Sequence, residues 1–268
     1  MSRHVGICAK DTCGAINQMI ILKSPEEIKK MGESNAIVAE VLTGLKERVR
    51  PGVTTLELNE YAEAVTQKKG AKPAFKGYGG FPFALCSSVN SEVVHGFPSD
   101  RPLQEGDIVS LDYGVCYEGY YGDSAITVAV GMVSASAAGL MKVTEESLYR
   151  GIEKARKGNR LGDISFAVQS CVESAGFSVV RDYVGHGIGK DLHEDPPVPN
   201  FGMNGRGVKL KAGMVIAIEP MVNEGSYKVR TKPDGWTVVT DDGSLSAHFE
   251  HTIAVTEDGP VILSSSRA

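Results

Sequence analysis

Apolar residues recur at helical spacing from about Pro25 to Arg48, with Ile37, Val41 and Leu45 among charged neighbours. The stretch Ser24-Pro25-Glu26-Glu27 gives this helix its start: a capping serine, proline at the first helical position and glutamate at the third. A second amphipathic helix is expected from Thr55 to about Lys69, closed by Gly70. Two more are expected from Ser136 to about Arg156 and from Leu161 to Ala175, the latter closed by Gly176. Between and after these helices the period shortens. A strand is expected near Ala84 to Val89, two around the Gly- and Tyr-rich turn of "GDIVSLDYGVCYEGYYGDSAITVAVG" (106–131), and one in "GMVIAIEPMV". A hairpin through Pro233-Asp234-Gly235 and a final strand in "HFEHTIAVTEDG" follow. Residues 1–18 carry neither period and read as an N-terminal extension ahead of a single domain, 19–268. His4, Cys8 and Cys13 lie in it without a C-x-x-C pair, so a tail is the better reading than a zinc site.

The anomaly in this pattern is acidic. Asp112 interrupts one apolar strand and Asp123 opens the next, although aspartate is depleted in strands because its charge is costly to bury and its side chain competes for backbone hydrogen bonds. The second half repeats the anomaly. "LQEGDIVSLDYG" from Leu103 aligns with "LKAGMVIAIEPM" from Leu210, and "DSAITV" from Asp123 aligns with "EHTIAV" from Glu250. Asp112 therefore corresponds to Glu219, and Asp123 to Glu250. Gly52–Gly70 and Gly158–Gly176 bracket a helix at equal spacing in each half, about 19–135 and 136–268. Duplication alone would preserve apolar positions; it gives no reason to keep acids inside strands.

Composition narrows the chemistry. The chain has 268 residues, 42% of them hydrophobic and 23% charged, with a formal net charge of -5, which excludes the basic footprint of a nucleic-acid or anionic-membrane binder. No apolar run approaches the ~20 residues of a membrane span, and no secretory h-region is visible, so a cytoplasmic protein is expected. Five scattered cysteines suit reduced core thiols better than a disulfide framework.

Four carboxylates converging in one cleft cannot all stay ionised without cations, because like charges at short range raise one another's pKa. Two divalent metals would resolve that conflict. Strand alternation puts Asp123, Ala125, Thr127 and Ala129 on one small, polar face. His186, in the glycine-flanked "YVGHGIG", is the best nitrogen ligand. His95 in "VVHGFP" and His193 in "LHEDPP" also stand beside turns; His248 should share the face of Glu250 as an outer neighbour, and His251 should be structural.

"DYG" with Asp112, "GDSA" with Asp123, "GHGIG" with His186, "AIEP" with Glu219 and "HFEHT" with Glu250 resemble the five-ligand dimetal signature of the type I methionine aminopeptidases, in the pita-bread family. The resemblance runs from about Met19 to the C-terminus. It implies an α+β fold, a curved antiparallel sheet with outer helices and an internal pseudo-two-fold, and removal of the initiator methionine from peptides whose second residue is small. It implies that Asp123 and Glu250 bridge two divalent ions (Co, Mn, Fe or Zn), that Asp112 completes one, and that His186 and Glu219 complete the other. Glu219 would accept the proton of the attacking water, His95 would lie near the scissile nitrogen and His193 would reach the carbonyl oxygen. Tyr78, Phe81, Cys86 and Trp236 match methionine-pocket positions. Phe75 and Leu192 match others with residue types unlike a common bacterial version. Expected partners are the N-termini of nascent chains, with ribosome proximity and a monomeric enzyme. The alternatives are an Xaa-Pro peptidase of the same fold, which usually carries a large extra N-terminal domain, and a non-catalytic binding relative, which tends to lose ligands. A type II enzyme needs an insertion for which Gly187 to Val215 leaves no room.

Overall fold

A computed structural model describes residues 19–265; the extension 1–18, with His4, Cys8 and Cys13, lies outside the described residues. Helices α1 (Pro25–Arg48) and α2 (Thr55–Lys68) form where the caps direct. In both, a hydroxyl and a glutamate exchange bonds with each other's backbone: Glu27 Oε2 accepts from Ser24 N at 2.9 Å, and Glu57 Oε2 accepts from Thr54 N at 2.7 Å. Helices α3 (Ala135–Lys154) and α4 (Leu161–Ser174) follow. The sequence pattern starts α3 at Ser136; the helix begins a residue earlier because Ser134 is the cap, its Oγ accepting from Ala137 N at 3.1 Å.

The principal sheet has nine strands among the described residues, paired antiparallel throughout. Its main path runs Lys72–Pro73, Ile108–Tyr117, Tyr120–Ala129, Glu250–Val255, Val215–Ile218, Gly185–Gly187 and Glu194–Val198. The strands Cys86–Val89 and Pro260–Ile262 join Ile108–Tyr117 and Glu250–Val255 respectively.

Asp123 does not open its strand but sits three residues inside it. Pairing extends back to Tyr120 opposite Tyr117, because Glu118 and Gly119 both take positive φ (48° and 81°) and close the hairpin in two residues.

Strand alternation sorts the two faces of the sheet. Val109, Leu111, Tyr113 and Val115 turn toward α1 and α2, where they meet Val38, Val41, Leu45 and Leu58 in one core. Ile216, Ile218, Ile253 and Val255 turn toward α3 and α4 and meet Leu148, Ile152 and Ile164 in a second. Each such aliphatic side chain stabilises by roughly 1.5–3 kcal/mol on full burial. The helices thus cover one face. On the other, Asp112, Asp123 and Glu250 project from the same strands.

Candidate active site

The register explains why the acids meet. Cys86 pairs with Asp112, Asp112 with Ala125, and Ala125 with Glu250, so four adjacent strands place these side chains in one row on one face. His251 pairs with Ile218, and the next step of that register brings Glu219 beside Glu250. Two residues along, a second row starts from Gly114 opposite Asp123 and continues through Thr252 opposite Ala217. Gly187 lies opposite Ile216, which puts His186 at the far end of that second row. Gly114, Ala125 and Ala217 are the small members, and they leave the space that the acids and the imidazole surround.

Side-chain hydroxyls lock the seam between the two acid strands, where the backbone ladder itself is short. Thr252 Oγ1 donates to Asp123 O at 2.7 Å, Ser124 Oγ donates to Glu250 O at 2.6 Å, and Thr127 Oγ1 donates to His248 O at 2.7 Å. The sequence reading did not anticipate these bonds; the hydroxyl residues recurring beside both acid motifs were the available sign.

Ligand atoms of Asp123, His186 and Glu250 all lie within 4.8 Å of one another. His186 Nε2 stands 3.6 Å from Glu219 Oε1 and 3.9 Å from Asp123 Oδ2. Its Nδ1 lies 2.9 Å from the carbonyl oxygen of Gly187, which only accepts, so Nδ1 carries the hydrogen and Nε2 turns a lone pair to the cavity. Burial pushes His186 down to about 4, which keeps the imidazole neutral. His248, expected as an outer neighbour, has its Nε2 3.8 Å from Glu219 Oε2. His251 is structural as expected, with Nδ1 2.8 Å from Ser264 Oγ.

The carboxyls are in conflict. Burial pushes Asp112 up to about 7. Burial also raises Asp123, Glu219 and Glu250 well above the usual carboxylate range, and mutual repulsion among the acids adds to it. Asp112 Oδ1, Asp123 Oδ1 and Glu250 Oε1 are buried without a hydrogen-bond partner. Native proteins leave few buried polar atoms unpaired, and an oxygen-rich set with one neutral imidazole is a donor set for divalent cations. These residues fit a metal.

The acid rows form the floor of a cavity, and every residue singled out as ligand, acid-base group or pocket wall lines it. Phe75, Tyr78, Phe81, Cys86, Leu192 and Trp236 make its apolar part, and His95 and His193 join the acids at the polar part. Phe81 meets Trp236 edge-on at 5.2 Å and rests on Phe97 at 5.4 Å. Phe97 packs behind the pocket, against Phe81 and Phe83; in the sequence its only sign is its place after His95 in "HGFP". His95, at φ 58°, abuts Tyr183 at 5.6 Å. Burial takes its imidazole down to about 4. His193 is likewise held well below its usual value, by burial and then by the neighbouring His186 and His95.

Known proteins share this arrangement. Residues 29–257 match metallopeptidase family M24. Methionine aminopeptidase of Clostridium perfringens is 59% identical over 245 residues, covering 91% of this chain and 98% of that protein. A crystal structure of methionine aminopeptidase from Thermotoga maritima superposes with a TM-score of 0.91 at 50% identity, over 92% of this chain and all of that one. Prolidase of Pyrococcus horikoshii shares the fold alone, at 24% identity and a TM-score of 0.75, and this chain covers 65% of it. The fold is the α+β pita-bread fold, a curled antiparallel sheet with its helices outside. With the metal-compatible rows, the aromatic cavity and these likenesses together, the chain belongs to metallopeptidase family M24, alongside relatives named methionine aminopeptidase.

Proposed function

We propose that this protein removes the N-terminal methionine from peptides and nascent polypeptides whose second residue is small, with two divalent cations held by Asp112, Asp123, His186, Glu219 and Glu250. The observation that carries the reading is the meeting of the two ligand rows with an aromatic-walled cavity. Asp123 and Glu250, central in the two rows, would contribute to holding both cations, Asp112 would help hold one, and His186 with Glu219 the other. When bound, such cations supply an activated water and polarise the scissile carbonyl.

The chain's own groups do the rest. Glu219, a carboxylate when it holds a cation, would accept the water proton on one of its oxygens. His193, neutral and held through Nδ1 by the Tyr78 hydroxyl at 2.8 Å, offers its Nε2 hydrogen to the substrate carbonyl oxygen. His95, which also lines the cavity, would stand by the scissile nitrogen. Tyr78, Phe81, Cys86 and Trp236, with Phe75 and Leu192, enclose the methionine side chain, which rewards apolar area and polarizability rather than hydrogen bonds.

Co, Mn, Fe and Zn all accept this donor set, and availability selects among them. The reading implies a cytoplasmic monomer working near the ribosome exit; no described helix is long and apolar enough to cross a membrane. The test is methionine release from Met-Ala-Ser after chelation and re-addition of each metal separately. Activity returning with metal supports the reading. Undiminished turnover in Glu250→Ala, or better cleavage of Xaa-Pro than of Met-Ala substrates, overturns it.

A further inference from the structure

Lys23 and Glu194 form an ion pair 171 residues apart in sequence, with side chains only 4% and 6% exposed. It belongs to no ligand row and lines no part of the cavity. Yet Glu194 follows His193 directly and starts the strand Glu194–Val198, so alternation points His193 into the cavity and Glu194 behind it.

Behind the cavity, the Glu194 carboxylate organises the connection 188–193. Its Oε1 accepts the backbone N–H of Lys190 at 2.8 Å and of Asp191 at 3.4 Å, while Oε2 takes the Lys23 ammonium. Gly189 closes over the pair: a Cβ there would collide with the Glu194 carboxylate and the Lys23 stem. Lys23 is itself fixed, its N–H donating to Gly213 O at 2.7 Å and its Nζ to Ile21 O at 3.1 Å. The segment before α1 therefore works as a strap, and its one buried charge neutralises the carboxylate around which the loop is built. The loop carries Leu192 and His193 into the cavity.

We propose that Lys23 is a positioning residue that acts through Glu194 to hold His193 in its working place; this rests on the role given to His193 above. Without the ammonium, Glu194 is a lone buried carboxylate, which is costly enough to turn out toward water and take the loop with it. Displacements of about 1 Å at groups that contact the reacting atoms cost on the order of 100-fold in rate.

The test is a double-mutant cycle on metal-loaded wild type, Lys23→Met, His193→Ala and the double variant, with kcat and KM on Met-Ala-Ser measured separately and melts confirming a folded state at assay temperature. Lys23→Met is expected to lower kcat by about 10- to 100-fold in the wild-type background and to change the His193→Ala enzyme by less than about twofold. Equal losses in both backgrounds, or no loss in either, overturn the proposal. If Lys23→Met does not fold, Lys23→Met/Glu194→Ala, which leaves no lone charge but takes away the acceptor that holds the loop, enters the same cycle with the same deciding results. Hydrogen exchange of residues 189–194 reads the strap without turnover. Faster exchange there in the variant, with α2 and α3 unchanged, supports it; unchanged exchange overturns it. A wild-type protein that releases no methionine with any metal refutes the proposed function, while the exchange result still decides the strap.

Discussion

The Tyr78 hydroxyl lies 2.8 Å from Nδ1 of His193, with the two rings tilted at 42° and 5.3 Å apart. Burial raises the Tyr78 phenol and lowers the His193 imidazole, so each is neutral near pH 7 and one hydrogen, from the phenol or from Nδ1, joins the pair. The role proposed for His193 requires the tautomer in which the phenol donates and the imidazole hydrogen resides on Nε2. Tyr78→Phe should lower kcat by about five- to tenfold, the worth of a hydrogen bond of about 1 kcal/mol, with KM changed less than twofold. Side-chain nitrogen NMR of His193 should show a shifted tautomer ratio. A change confined to KM would show that Tyr78 is wall and nothing more.

Glu250 is buried among like charges with one oxygen unpaired. In metal-free protein at pH 8, Glu250→Gln removes a repulsive member of the cluster and should raise the melting temperature by a few degrees, at roughly 2–4 °C per kcal/mol for a chain of this size. Divalent metal should stabilise the wild type strongly and the variant weakly. Calorimetric melts with and without metal check both; a metal-free variant that melts lower than wild type counts against the repulsion.

The same cluster sets a pH dependence for the metal-free protein. Its carboxyls titrate higher folded than unfolded, with Asp112 near 7 against about 4 for an unfolded aspartate. At these acids the folded state binds more protons, and their contribution to stability falls as pH rises; the buried imidazoles of His95, His186 and His251, held at about 4 folded, act in the opposite sense up to about pH 6.5, the unfolded histidine value. Denaturant melts from about pH 6.5 to 8, where those imidazoles are neutral in both states, should therefore show stability drifting downward by up to about 1.4 kcal/mol per pH unit per group. Saturating metal should abolish or reverse the drift, since cations bind the deprotonated ligands.

Gly114 lies opposite Asp123 and beneath Phe75, where an added Cβ would come within 2.8 Å of Phe75 Cε1 and 3.0 Å of the Ala74 Cβ. Gly114→Ala must push the Phe75 ring, and the ring borders the cavity. The expected outcome is a destabilisation of about 1–3 kcal/mol and a higher KM for Met-Ala-Ser, with metal stoichiometry retained. An unchanged KM would mean that Phe75 yields in another direction.

The acids, His186 and the cap of the first helix were legible in the sequence because each breaks a local rule or completes a local motif. Asp112 and Asp123 are charged where strands are apolar, Glu219 and Glu250 repeat them, and Ser24 precedes a glutamate by three, whereas Ser134 has no such partner and its cap was not legible. The two rows were not legible. Alternation gives the face of Asp123, but only the pairing of Asp112 with Ala125 and of Ala125 with Glu250 says which acids are neighbours. Lys23 and Glu194 were invisible for a different reason: a lone lysine and a lone glutamate read as surface residues until the fold buries them together. The particular acid that His248 stands behind, Glu219 at 3.8 Å, was not legible either, because that distance depends on two strands meeting rather than on either motif.

The rows also separate two kinds of change available to this scaffold. All five acid and imidazole groups stand on or at the ends of strands whose registers are fixed by ladders and hydroxyl bonds, whereas Phe75, Tyr78, Phe81, Leu192 and Trp236 stand on connecting segments. Substitutions in the connections alter what fits above the floor without moving the floor. An engineer seeking release of a residue other than methionine would therefore redesign the walls one at a time and leave the sheet alone, and descendants of such a protein could diverge in diet while keeping one chemistry.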